Sequence, residues 1–262
     1  MKARSRLGVG LILLAVTAGV FGPLAVVQDP LIQDLSAALQ PPSAEHPLGT
    51  DPLGRSVLSR LVHGARQSLG TALACVAASG LLGSSLGMAA GFSRGWRDGL
   101  IMRLVDGFMA FPGILLAIVI AGLLGGGRLP LIGALALTGW CDYCRLSRNV
   151  TRSVLSEPYV QAGHLLGFRP LFIIRRYVLG QILPHVATLA SLGMGRTILN
   201  ISALGFLGIG LRPPAPEWGA MISQALPYMS EAPHLIIFPG AAIFLTVLGF
   251  NLLTSLFEGR KT

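Results

Sequence analysis

Residues Leu7 to Val27 run without one charged side chain. A helix needs about 20 apolar residues to cross a bilayer, and this run supplies them. The preceding Lys2, Arg4 and Arg6 give the stretch the look of a secretory signal. However, the apolar run continues through Phe21 to Val27, and no clean small-x-small cleavage site follows. It reads as an uncleaved first span. Two more runs, Ser68 to Phe92 and Leu235 to Phe257, are equally free of charge. Only 12% of the 262 residues are charged and 52% are hydrophobic, whereas soluble domains carry about 25% charged residues. In lipid the backbone must satisfy its own hydrogen bonds. The expected class is an all-α integral membrane protein.

The pattern predicts six transmembrane helices: Leu7 to Val27, Ser68 to Phe92, Ile101 to Leu124, Leu131 to Leu146, Gln181 to Leu211 and Leu235 to Phe257. The third carries Arg103 and Asp106, three apart and able to pair on one face, and Pro112. The fifth is too long for one straight span, so a turn is expected at Gly205 to Gly210. An interfacial or re-entrant helix is expected over Ala220 to Met229. Six spans put both termini on one side. Fourteen of the 20 Lys and Arg residues then share that side, five (Arg55, Arg60, Arg66, Arg128, Arg212) lie opposite, and Arg196 falls inside a span. The positive-inside rule makes both termini cytoplasmic. The net charge of +9 thus follows topology and does not point to nucleic acid. The division is residues 1–27, N-terminus and first span; 28–67, an extracytoplasmic loop; 68–257, the transmembrane core; and 258–262, the cytoplasmic C-terminus.

The chain is organised around residues 156–177, SEPYVQAGHLLGFRPLFIIRRY, within a cytoplasmic segment of about 150–177. Ser156 or Glu157 suits a helix cap, Pro158 a first turn and Gly167 a stop. Val160, Ala162, Leu165 and Leu166 offer an apolar face. Arg145, Arg148, Arg152, Arg169, Arg175 and Arg176 surround it. The segment is either a docking element or an ordinary loop helix.

No G-x-x-x-x-G-K-[ST] string and no HExxH string occurs, so the chain holds no ATP site of its own. Glycine pairs such as Gly205 and Gly208 read as helix packing. Cys141-Asp142-Tyr143-Cys144 lacks a second cysteine pair and reads as packing. The five histidines form no buried i,i+4 pair, which argues against a high-affinity metal site. Arg196 is costly inside a span unless it faces a cavity or a partner. With Asn200 on the same face it can line a translocation path and meet an anionic cargo group. The other reading is a pair with a carboxylate on a neighbouring subunit, or snorkelling. Glu217 and Trp218, in the proline-stiffened outer stretch RPPAPEWG, are candidates for an extracytoplasmic gate or a contact with an external protein; Trp218 and Tyr228 also suit an interfacial belt.

Four blocks in this order carry a resemblance: LGTDPLGRSVLSRLVHGARQSL (48–69), the Tyr143–Asn149 segment entering EPYVQAGHLLG (157–167), LGFLGIGLRPPAPEWGAMI (204–222) and FPGAAIFLTVLGFNLL (238–253). Together they resemble the permease subunits of ATP-driven, binding-protein-dependent importers of the dipeptide, oligopeptide and nickel group. The chain looks most like the second of two permeases in such systems. The resemblance covers about residues 7–258. It implies a type I ABC-importer permease-like fold in a bacterial inner membrane. It also implies a homologous permease as heterodimer partner, two ATP-binding subunits and an extracytoplasmic substrate-binding protein. ATP is used by the partners, no cofactor or metal is held by this chain, and the chain is not itself an enzyme. It makes Glu157, Tyr159, Ala162 and Gly167 part of the loop that couples to the ATPase. The chain departs from many members at Leu179-Gly180-Gln181, where they carry Leu-Pro-Asn; a glycine there is similar to some nickel permeases. Cargo is left between short peptides, nickel and nickel chelates. A passive channel or membrane scaffold is the alternative class.

Overall fold

The computed structural model describes residues 3–26, 28–93 and 95–258. Lys2, Arg94, Arg260 and Lys261 of the charge count, and the C-terminal segment beyond Glu258, lie outside the described residues. The described regular structure is mainly α-helical: α1 Ala3–Ala25, α2 Val57–Phe92, α3 Trp96–Met109, α4 Gly113–Leu123, α5 Arg128–Leu155, α6 Pro158–Leu165, α7 Pro170–Ile173, a π-helical turn Ile174–Val178, α8 Leu179–Phe206, α9 Trp218–Ala225 and α10 His234–Glu258. Among the described residues the β pairing is one isolated bridge, Thr50 to Ser56.

The sequence places a glycine at every fourth position on one face of α2: Gly83, Gly87 and Gly91. Each meets α5 with no room for a side chain. A Cβ on Gly83 would lie 2.2 Å from the Trp140 carbonyl oxygen, one on Gly87 2.3 Å from that of Cys144, and one on Gly91 2.6 Å from Thr151 Cβ. The pairs advance together along both helices, so α2 and α5 run parallel. Between parallel neighbours the chain must cross back, and α3 and α4 do this as a pair bent by 89°. The break falls at Pro112, which N-caps α4 and cannot continue the preceding helix.

α1 and α8 run antiparallel to this pair, and α10 runs parallel to it. Gly8 of α1 faces Leu252 of α10, while Gly22 at the other end of α1 faces Val62 of α2. The start of α1 and the end of α10 therefore lie at one end of the bundle. The end of α2, the second half of α5, α6 and the start of α8 share that end. The opposite end gathers residues 28–56, the glycine turn 125–127 and residues 207–233. There Gly127 N–H donates to the Gly210 carbonyl at 3.2 Å.

Four helical stretches are long and apolar enough to cross a membrane: Arg6–Ala25, Val57–Phe92, Pro170–Phe206 and His234–Leu253. The bent α3–α4 pair makes five if taken as one span. α5 has the length but is more polar, because Asp142 and Arg145 interrupt its apolar run. α2 begins at Val57, earlier than the Ser68 expected from hydropathy, so the outer loop ends sooner. The Arg103–Asp106 pair expected within one helix is not formed. Asp106 pairs with Arg145 of α5 at 2.5 Å instead, because α5 brings an arginine across the groove and frees the α3 pair from sharing one helix face.

Replacing Gly87 with leucine should cost about 1–3 kcal/mol through overpacking and lower the thermal midpoint of the detergent-purified protein. Gly133→Ala, at a helical site with nothing within 4 Å of the added Cβ, should be neutral or slightly stabilising. Equal midpoints for the two variants would remove the seam from this account.

Candidate functional site

Three regions hold the candidate residues. At the inner end, Pro158 opens α6 and Glu157 is its N-cap by backbone geometry, but the Glu157 side chain makes no capping bond. Ser156 does not cap α6 either; its hydroxyl donates to the Ser153 carbonyl at 2.7 Å and it ends α5. The stop at Gly167 is as expected. Gly167 has φ +79°, its N–H donates to His164 and the Phe168 N–H donates to Gly163, both at 3.0 Å. This is the Schellman arrangement. Phe168 covers Gly163, where a Cβ would come within 2.9 Å of the ring.

The apolar residues of α6 divide between two faces. Val160 is fully buried with Val154, Ile173, Val178 and Ile182. Tyr159, Ala162, Leu165 and Leu166 face outward, Leu165 being 91% exposed. Exposing that much leucine is unfavourable in water. The flanking arginines are not equivalent. Arg148 holds Asp98 of α3 through two hydrogen bonds, at 2.5 and 2.8 Å, and Arg152 adds a third at 2.6 Å. With Arg145 on Asp106, these three tie α5 to α3. Arg169, Arg175 and Arg176 are exposed beside α6.

The second region is a cavity of about 600 Å³ between α5, α8 and α10, bordered by α2 and α4. Arg196 and Asn200 of α8 both line it. Arg196 faces Asp142 of α5 at 3.4 Å. The carboxylate beside Arg196 thus lies on the same chain. Asp142 lies in the Cys141–Cys144 motif that reads as packing, and its one signal in the sequence is an acid inside an apolar run.

The third region is the outer end. In LGTDPLGRSVLSRL, Asp51 accepts the N–H groups of Leu53 and Arg55 at 2.9 and 3.0 Å. It also pairs with Arg55 at 2.6 Å and Arg60 at 3.4 Å. Both guanidinium groups donate to Gln224 of α9. Gly49 and Gly54 have φ of +77° and +71°, so glycine fits both turns. Glu217 and Trp218 are buried, at 0% and 2% exposure. Neither presents a surface to an external protein here, and Trp218 does not form an interfacial belt. Glu217 caps α9, accepting the N–H of Gly219 and Ala220, each at 2.9 Å. Burial pushes its carboxyl above the ordinary carboxylate range, against those two N–H groups. Trp218 donates to the Leu61 carbonyl at 3.0 Å.

Residues 83–260 match the model of the family described as binding-protein-dependent transport system inner membrane component. The chain belongs to this family. It is 38% identical over 247 residues to the dipeptide transport system permease protein of Alkalihalophilus pseudofirmus, covering 94% of this chain and 81% of that protein. It is 40% identical over 212 residues to the glutathione transport system permease protein of Pectobacterium atrosepticum, covering 81% and 70%. It is 38% identical over 224 residues to the nickel transport system permease protein of Escherichia coli, covering 86% and 81%. The fold is similar to that of the inward-facing MetNI methionine ABC transporter, with a TM-score of 0.60, 18% identity and coverage of 77% of this chain and 96% of that one. The protein is therefore a multi-pass inner-membrane permease component, not a catalytic subunit.

Glu217→Ala should remove the α9 cap and leave two backbone N–H groups without acceptors, costing about 1–2 kcal/mol. A thermal melt of the purified protein reads this. A midpoint equal to wild type would refute the capping role.

Proposed function

We propose that this chain is one of two homologous permeases in an ABC importer, with two ATP-binding subunits docked inside and a substrate-binding protein outside. It crosses the membrane six times, by α1, α2, the α3–α4 pair, α5, α8 and α10, with both termini cytoplasmic. Support for α5 as a span comes from its 28 residues, about 42 Å of helix against a hydrocarbon core of about 30 Å. Support for the orientation comes from the arginines gathered at the end that holds α6.

The observation that carries the coupling role is the outward face of α6. Ala162, Leu165 and Leu166 are exposed and Tyr159, half exposed, leans on the Tyr177 ring at 5.4 Å, while Val160 pins the helix to the bundle. Glu157 and Gly167 set its two ends. An ATPase groove that covers this face moves α6, and the stretch from Pro170 to Phe206 carries the motion to the cavity. Arg196 and Asn200 line the translocation path. At the outer end, Glu217 and Trp218 support α9 as a gate beneath the binding protein. Cargo is a short peptide, nickel or a nickel chelate; the relatives' names include dipeptide, glutathione and nickel.

The direct test is ATP hydrolysis by the co-expressed complex in lipid, with its binding protein loaded in turn with short peptides, nickel ion or a nickel chelate. Stimulation by one loaded form supports the importer and names the cargo class; hydrolysis that ignores every loaded form counts against it. Leu165→Asp should abolish stimulation, with at least a tenfold loss expected from burying an unpaired charge at the interface. Full stimulation in that variant would remove α6 from the coupling path.

A further inference from the structure

The cavity between α5 and α8 has a chemistry of its own. Asp142 and Arg196 are the only charged residues among those lining it, so its formal charge is zero. Their side chains are 44% and 76% exposed, and the 3.4 Å pair looks into open space. A pair this open holds weakly, and each group has spare hydrogen-bonding capacity. Next to Asp142, Tyr143 is 4% exposed and lines the same cavity. Its hydroxyl is buried without a hydrogen-bond partner. That hydroxyl abuts Gly193 of α8, where a Cβ would come within 2.9 Å of it. Buried hydroxyls are normally satisfied, so this one is a donor awaiting an acceptor. Asn200 adds an amide one helical turn beyond Arg196.

Resting on the importer reading above, we propose that Asp142, Tyr143 and Arg196 form a two-ended site for a zwitterionic cargo. The Asp142 carboxylate receives the ammonium end and the Arg196 guanidinium the carboxylate end; the Tyr143 hydroxyl, buried against Gly193, joins the carboxylate end only when α8 shifts to uncover it. The ends of a dipeptide lie about 7 Å apart, so cargo entry replaces one weak contact between the side chains with a charge-assisted contact at each end. A bare divalent cation finds one carboxylate here and no imidazole or thiolate, which is a poor ligand set for nickel. The site favours an organic molecule carrying both charges.

The test uses the complete complex with its binding protein in proteoliposomes and measures ATP-dependent uptake of labelled dialanine and of nickel ion. The variants are Asp142→Asn, Arg196→Gln, the double variant and Tyr143→Phe, each checked for co-elution of all subunits. Each single charge variant should lose about 10- to 100-fold in dialanine uptake, the effect of one charge-assisted hydrogen bond. The double variant should lose at least as much. Tyr143→Phe should lose a few-fold, its ring packing being kept. Recovery of uptake in the double variant would show that the pair is only a structural ion pair, and would overturn the site. So would wild-type-like uptake in the assembled single variants. Wild-type uptake of nickel ion but not of dialanine would overturn the site while leaving the importer standing. Uptake of no cargo class by the wild-type complex would bring down both.

Discussion

The arrangement of this bundle depends on the seam between α2 and α5. Lipid tails are as apolar as leucine, so burying leucine between helices gains little in a bilayer; close backbone approach gains more. Gly83, Gly87 and Gly91 permit that approach by presenting backbone to the carbonyl oxygens of Trp140 and Cys144 and to Thr151. The helix held this way carries both the cavity acid Asp142 and the arginines that grip α3. Its last turn leads directly into α6. The position of every candidate residue at the inner end is referred to α2 through this contact.

Charges away from water are handled by clustering. Asp51 stands between Arg55 and Arg60 at the outer end, and Asp98 between Arg148 and Arg152 at the inner end. Each cluster joins elements distant in sequence. The outer cluster links the loop before α2 to α9, and the inner one links α3 to α5. A buried charge left alone is strongly destabilising, whereas a paired and hydrogen-bonded one is tolerated. These clusters therefore specify which helix ends meet more than they add stability. The cavity pair differs in kind, because both of its members remain open.

The long apolar runs were legible because hydropathy alone marks them, and Gly167 was legible because a stop glycine after an apolar face has one backbone reason. The limits lie where contacts cross between helices. Val57 to Gln67 carries Arg60, His63 and Arg66 and reads as loop by hydropathy. It is helix because Asp51 and Gln224 take up Arg60. Asp106 reads as a partner of Arg103 within one helix, yet Arg145 approaches from α5. The role of Asp142 is not legible in the sequence because nothing local places residue 142 beside residue 196. Glu217 and Trp218 look like surface residues from their proline-rich setting. Packing of α9 against Ser68, Ser202 and Gly205 buries them.

The π-helical turn at Ile174–Val178 has a consequence for how α6 is aimed. Such a turn spans one residue more than an α-helical turn closes, and each residue corresponds to about 100° around the helix axis. The turn joins α7 to α8 without a break, so it sets the azimuth of α7 relative to the cavity-lining face of α8. α6 precedes it and is pinned beside it through Val160. Gaining or losing the extra residue of that turn would rotate α7, and with it Ile173 of the cluster that holds Val160, by about 100° relative to α8. In mechanical terms the junction is an indexing joint, whose permitted positions are set by residue count rather than by a continuous twist.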